Sequence, residues 1–184
     1  DFKNIVLLSD GVPTFNYKMY DPDAHVIPGG PNNNPTTERE TGPNVPKTAF
    51  NYSETTGAGN GMWHRYKWAG SVKYYYNSGN CAIAEAGFAK QNAKLYTVAV
   101  NAGNTGNDVL EKMASPGCSY STEDPAALSG IFDSIAASIA AAMKDANVSD
   151  PMGAGFEVKG GTASNIHVTQ GTATLNNNTI NWNV

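Results

Sequence analysis

An α/β fold, interrupted by a long insertion and followed by antiparallel β structure, is predicted by three observations. Ile5-Val6-Leu7-Leu8 is a continuous apolar run closed by Ser9-Asp10-Gly11, the pattern of a strand buried on both faces in a parallel sheet covered by helices. Helix-like and strand-like segments resume at Asn80 and run to about Asn147. After Asp150-Pro151 short alternating runs are separated by Gly and Asn turns, as in antiparallel strands.

The elements follow in chain order. From Val12 to about Gly79 prolines, glycines and asparagines crowd together and helical periodicity is absent. A structureless loop of that length is unusual in a compact domain, so the segment reads as an insertion with turns and short strands, Ser71–Tyr76 foremost. Asn80 is positioned to cap a helix reaching about Asn92, with Ala82, Ile83, Ala86 and Ala89 on its inner face. Lys94 to Val100 reads as a second buried strand. Asn107 or Asp108 opens a short helix, Val109 to Ala114, which Ser115-Pro116-Gly117 stops. Cys118–Ser121 is a short third strand. Asp124 at an N-cap and Pro125 at the first helical position start a long helix. Leu128, Ile131, Phe132, Ile135, Ile139 and Met143 form its apolar stripe, opposite Ser129, Asp133 and Lys144. Strands are then expected at Phe156–Val158, Ile166–Val168, Thr172–Leu175 and Thr179–Trp182.

Strand-like sequence at both ends predicts that these 184 residues are a piece of a longer polypeptide. Net charge is −4 with no Lys/Arg run, which excludes the cationic footprint of nucleic-acid binding. No apolar stretch reaches membrane-spanning length. No G-x-S-x-G elbow, P-loop or G-x-G-x-x-G follows a strand, and His25, His64 and His167 are scattered, so an enzyme is not expected. Cys81 and Cys118 admit two readings, buried free thiols or one disulfide. The composition, poor in charge and rich in Asn, Thr, Gly and Tyr, looks extracellular and favours the disulfide, which would pin the base of the insertion to the sheet.

Asp10 lies where open α/β sheets bind ligands, beyond the carboxyl end of a strand, although Asp-Gly there is on local grounds most often only a turn. Its context decides. Ile-Val-Leu-Leu-Ser-Asp-Gly at 5–11, a helix, Leu-Tyr-Thr-Val-Ala-Val at 95–100, Val-Leu-Glu-Lys-Met-Ala-Ser at 109–115, a short strand and a long amphipathic helix together resemble the C-terminal half of a von Willebrand factor A-type (VWA) domain, a doubly wound Rossmann-like sheet. The insertion at 12–79 is similar to the arms of VWA domains in Gram-positive pilus-tip and surface adhesins. Asn147–Gly153 leading into Phe156-Glu157-Val158 resembles the exit into a β-sandwich stalk. The resemblance divides the chain into a VWA half, 1–149, and a partial stalk module, 150–184.

The resemblance implies a cell-surface protein, at a pilus tip or anchored to a cell wall, that binds a host or extracellular-matrix protein. Asp10 would be one ligand of a metal-ion-dependent adhesion site holding Mg²⁺, or Mn²⁺ or Ca²⁺. The family's Asp-x-Ser-x-Ser strand and second-loop threonine, which supply most ligands, do not occur here. The site would be completed by residues outside this chain, in the upstream half of the same adhesin. Pilus backbone subunits are further expected partners. A structural or assembly subunit with an inactive metal site is the alternative. Aromatic residues of the insertion suit an interface, with Tyr17, Tyr20, Trp63, Tyr66 and Trp68 as candidate ligand contacts. A core role for Trp63 and Trp68 competes with that. Stalk domains of this kind carry Lys–Asn isopeptide crosslinks, for which Asn183 is a candidate acceptor.

Overall fold

A computed structural model describes residues 3–143, 147–169 and 171–183, with only the backbone at 142 and 143. The expected burial of the Met143 side chain and exposure of Lys144 therefore lie outside the described residues. Two compact units emerge, Asp1–Ile131 and Phe132–Val184.

In the first unit β1 (Asn4–Ser9) leads through the Asp10 turn into the insertion, which is built of strands. These are β2 (Phe15–Met19), β3 (Val26–Pro28), β4 (Glu38–Thr41), β5 (Phe50–Gly57), β6 (Trp63–Ala69) and β7 (Val72–Asn77). β2 pairs with β5, while β3, β4, β7 and β6 form a second sheet in that order. α1 (Ser78–Ala89), β8 (Lys94–Val100), α2 (Gly103–Met113) and β9 (Ser119–Thr122) complete an α/β layer whose sheet order is β1-β8-β9, all parallel. β8 is central, and Leu95, Tyr96, Val98 and Ala99 are buried. The Thr97 hydroxyl, fully buried, donates to the Leu110 carbonyl at 2.9 Å and ties β8 to α2.

β1 departs from expectation. Among the described residues it pairs with β8 alone, and Ile5, Val6 and Leu8 are 41, 44 and 50 % exposed. An edge strand carrying apolar side chains on both faces is uncommon, because parallel sheets bury their strands. The apolar run is a strand, as expected, and among the described residues it has one strand neighbour rather than two.

The insertion has its own core, in which Met19, Val45, Phe50 and Tyr76 close over Cys81 and Ala84 of α1. The Met19 amide donates to the buried Tyr76 hydroxyl at 3.1 Å. Accordingly α1 starts at Ser78 rather than Asn80, capped by the Asn77 side chain, which accepts from the Asn80 amide at 3.0 Å. Three of the four residues expected on one face of α1, Ala82, the buried Ala86 and Ala89, line an open apolar hollow of about 440 Å³ beside Ile5 and Leu95.

Both cysteines are free and buried, which corrects the expected disulfide. Cys81 is in the insertion core with its sulfur 3.7 Å from the Thr41 hydroxyl. Cys118, just before β9, turns its thiol to the Pro116 carbonyl. Burial pushes the Cys81 thiol up to about 11, so it is un-ionised and unreactive at neutral pH.

α3 (Leu128–Met143) follows a 3-10 turn at Pro125–Ala127, capped by Asp124 as expected, its side chain accepting from the Ala126 amide at 2.9 Å. Ile135 is buried, but Phe132 is 41 % exposed and leaves the stripe. In the second unit β10 (Asn147–Pro151), β11 (Thr172–Asn176) and β12 (Thr179–Asn183) form an antiparallel sheet ordered β10-β12-β11. Asn177 and Asn178, at φ 47° and 59°, make the β11–β12 turn. The expected strands at Phe156–Val158 and Ile166–Val168 do not form. The segment 147–150, whose composition suggests a turn, is a strand.

Glu38 is buried where the loop before β4 folds back. The Asn32 side chain donates to it at 2.7 Å and the Asn32 amide at 3.0 Å. These donors, the side chain first, hold its carboxyl below the usual glutamate range. A carboxylate whose folded pKa is depressed adds stability above its unfolded value of about 4.3, and that stability is lost as pH falls through the folded value. The melting temperature of the chain should therefore drop on acidification below about pH 4.3, and Glu38→Gln should flatten that part of the profile. An unchanged profile in the variant would show that Glu38 is not linked to acid sensitivity.

Candidate functional site

β1 ends at Ser9, and the Ser9 side chain folds over the turn, its hydroxyl 3.4 Å from both the amide and the carbonyl oxygen of Gly11. Asp10 is left exposed at the carboxyl end of a parallel strand. The turn rests against α2: a side chain at Gly106 would come within 3.4 Å of the Gly11 backbone. That distance is ordinary contact, and the group a larger residue at 106 would displace is the Ala102 methyl, 2.8 Å from such a Cβ. The neighbouring strand β8 leaves the sheet at the same edge through Asn101, at φ 53°, and enters α2 at Ala102, which offers no side-chain cap. The uncapped amides of this helix give the edge a partial positive charge.

Asp10 is the carboxylate at this turn. Among the described residues no group of three His, Cys, Asp or Glu side chains is gathered. A hard divalent cation takes about six oxygen ligands, only some of them waters, and a single carboxylate falls short of such a set.

The five aromatic candidates separate into two kinds. Trp63 donates its indole N–H to Glu40. Tyr66 donates its hydroxyl to Asp23 at 3.0 Å, with its ring centroid 4.9 Å from that of Tyr76. Burial first, then Asp23, pushes the Tyr66 phenol well above its usual range. Both side chains are committed to holding the arm. Tyr17, Tyr20 and Trp68 are 39, 73 and 62 % exposed. Tyr17 leans edge-on against Tyr52 at 4.9 Å, whereas Trp68 lies at the far end of the β6–β7 hairpin beside Arg65 and Lys73. The reading of the sequence missed these two cations, although R-Y-K-W followed by V-K across a turn was a signal for them. Asn183 is exposed at the end of β12, in register with Asn147 and Thr172.

Comparison with known proteins bears on the fold. No family model matches the chain. The minor fimbrium subunit Mfa5 of Porphyromonas gingivalis is 28% identical over 203 residues, an alignment that takes in 88% of this chain and 16% of that protein. The chain thus spans about a sixth of the length of this curated relative. The crystal structure of the vWF domain of that type V pili tip protein superposes with a TM-score of 0.68 at 24% identity, covering 80% of this chain and 63% of the other. The pilus adhesin SpaC from Lactobacillus rhamnosus GG, in its open conformation, matches with a TM-score of 0.54 at 15% identity, over 100% of this chain and 23% of its own. Strand order, the Asp10 turn and these likenesses agree: the chain has the fold of the VWA domain of a pilus-tip protein.

Proposed function

We propose that this chain belongs to a pilus-associated cell-surface adhesin in which Asp10 helps to hold a divalent cation, Mg²⁺ or in its place Mn²⁺ or Ca²⁺. A carboxylate from a host or extracellular-matrix protein completes the coordination of that ion. The observation that carries this reading is the exposed Asp10 carboxylate, at the carboxyl end of a parallel strand and beside an uncapped helix start. The remaining ligands come from another part of the same polypeptide. In support, the free edge of β1 presents Ile5, Val6 and Leu8, and the hollow beside Ile5 and α1 is open and apolar. A further parallel strand with its helix would cover both. The protein acts outside the cell, by binding and not by catalysis, alongside other pilus subunits.

A structural or assembly subunit with an inactive cation site is the second reading, favoured by the single carboxylate at the turn. The two differ in a chelation experiment on the whole polypeptide. Adhesion to immobilised matrix proteins should disappear in EDTA and return with Mg²⁺ or Mn²⁺. Adhesion indifferent to EDTA, with no heat of Mg²⁺ binding in calorimetry, would remove the cation from the function.

A further inference from the structure

The far end of the β6–β7 hairpin carries a feature that neither the fold nor the cation site uses. Trp68 pairs across the hairpin with Lys73 and remains 62 % exposed. The Arg65 guanidinium carbon stands 5.3 Å from the centre of the Trp68 ring, and Lys73 Nζ stands 5.7 Å from it. The electron-rich ring face attracts both cations, which orders two long side chains before any ligand arrives. Neither has a carboxylate within 4.0 Å: the ion pairs among the described residues are Lys18–Glu54, Lys67–Asp23 and Lys112–Asp108. Glu38, in register with Lys73, gives its oxygens to Asn32. Lys73 still acts on Glu38 through space, but two cations without a close ion pair flank an exposed indole in a chain whose net charge is −4.

The hairpin is firm enough to present them. It is paired from Trp63–Asn77 to Ala69–Val72, and Gly70 at φ 60° permits the tight turn. Lys67 is held by Asp23 and lies 5.0 Å from the Tyr74 ring.

We propose that Arg65, Trp68 and Lys73 form a binding platform for an anionic glycan, a sugar chain bearing carboxylate or sulfate groups. The inference rests on the arm being a binding element and gives that element a ligand class. The indole offers a flat apolar face against which the C–H face of a sugar ring lies. The Arg65 fork matches the planar oxygens of a carboxylate or two oxygens of a sulfate, and Lys73 adds a point charge. A peptide would draw its affinity from apolar anchors buried in a pocket, and Trp68 projects outward instead. Such binding needs no divalent cation, weakens with salt, and is independent of Asp10.

The test uses the full polypeptide in EDTA, passed over immobilised heparin, hyaluronate, neutral dextran and poly-glutamate. Binding to heparin, to hyaluronate or to both, with none to dextran, is expected, and the pair separates sulfate from carboxylate recognition. Arg65→Gln with Lys73→Gln should weaken it about tenfold or more. Trp68→Ala should weaken it roughly fivefold and Trp68→Phe less. Lys18→Gln, at a cation already paired with Glu54, should change nothing. Absence of glycan binding, indifference to the double substitution in a variant with the parent's melting temperature, or equal binding to poly-glutamate would each overturn the proposal. Because chelator is present throughout, failure here leaves metal-dependent adhesion standing, and loss of EDTA-sensitive adhesion leaves the platform standing.

Discussion

Replacing Asp10 with alanine in the full polypeptide should reduce Mg²⁺-dependent adhesion at least about tenfold and leave thermal stability unchanged. The two halves of this expectation have separate physical grounds. Asp10 is exposed, and the turn around it is set by Ser9 folding over Gly11 and by the seat of Gly11 against Gly106. Removing an exposed carboxylate from such a turn changes stability by no more than about 0.5 kcal/mol. The functional loss follows from ligand chemistry. Loss of an outer-shell partner already lowers metal affinity about 10- to 100-fold, and a direct oxygen ligand of a hard cation matters no less. Asp10→Asn keeps the shape and one oxygen but not the charge, and should fall between the two. Solid-phase adhesion across a Mg²⁺ titration, with a melting curve for each variant, separates the outcomes. Undiminished adhesion by Asp10→Ala would move recognition away from this turn, while a lower melting temperature would make Asp10 a structural residue.

What could be read from the sequence was the identity of the elements, more than their neighbours. Lys94–Val100 is found at the predicted bounds, because an apolar strand between polar turns admits few alternatives. The run at 5–8 gave the right element, yet a sequence does not say which surface covers it. Among the described residues its one strand partner is β8. Expected at Asn80, the cap of α1 is Asn77, three residues earlier. The choice falls to Asn77 because its amide is held by the buried Thr41 hydroxyl at 2.9 Å, a contact across 36 residues. α2 begins at Gly103, six residues before the expected Val109, through a stretch that opens with Gly103, Asn104, Thr105 and Gly106, all poor helix formers. At 147–150 the turn-like composition misleads too. β10 is an edge strand paired only with β12, and an edge tolerates Pro151. The spacing of Cys81 and Cys118 carried no distance, and composition alone favoured a bond that the packing does not make.

Glu40→Ala should cost the chain about 3 kcal/mol, because one carboxylate holds three donors from three other elements. It accepts from the Trp63 indole at the start of β6, from Asn77 Nδ2 at 2.9 Å and from Asn80 Nδ2 at 3.4 Å. Asn77 and Asn80 are also the cap and first turn of α1, and Asn80 Nδ2 donates to the Thr41 carbonyl at 2.9 Å. Truncation to alanine leaves the indole N–H and the Asn77 amide without this acceptor. A hydrogen bond to a charged group is worth about 1.5–3 kcal/mol, and members of one network do not add, so the total stays near the value of the stronger bonds. Glu40→Gln retains one acceptor oxygen and should lose roughly a third as much. Urea unfolding followed by circular dichroism gives the energies, and Trp fluorescence reports the arm. A loss below about 0.5 kcal/mol, the range of an ordinary surface change, would mean that the insertion core alone fixes the arm to α1. A loss of the expected size has a functional corollary. β6 begins at Trp63 and also carries Arg65 and Trp68, so freeing Trp63 loosens the strand on which the cationic platform is built. Glycan binding should then weaken in Glu40→Ala while Mg²⁺-dependent adhesion through Asp10, on a different element, persists.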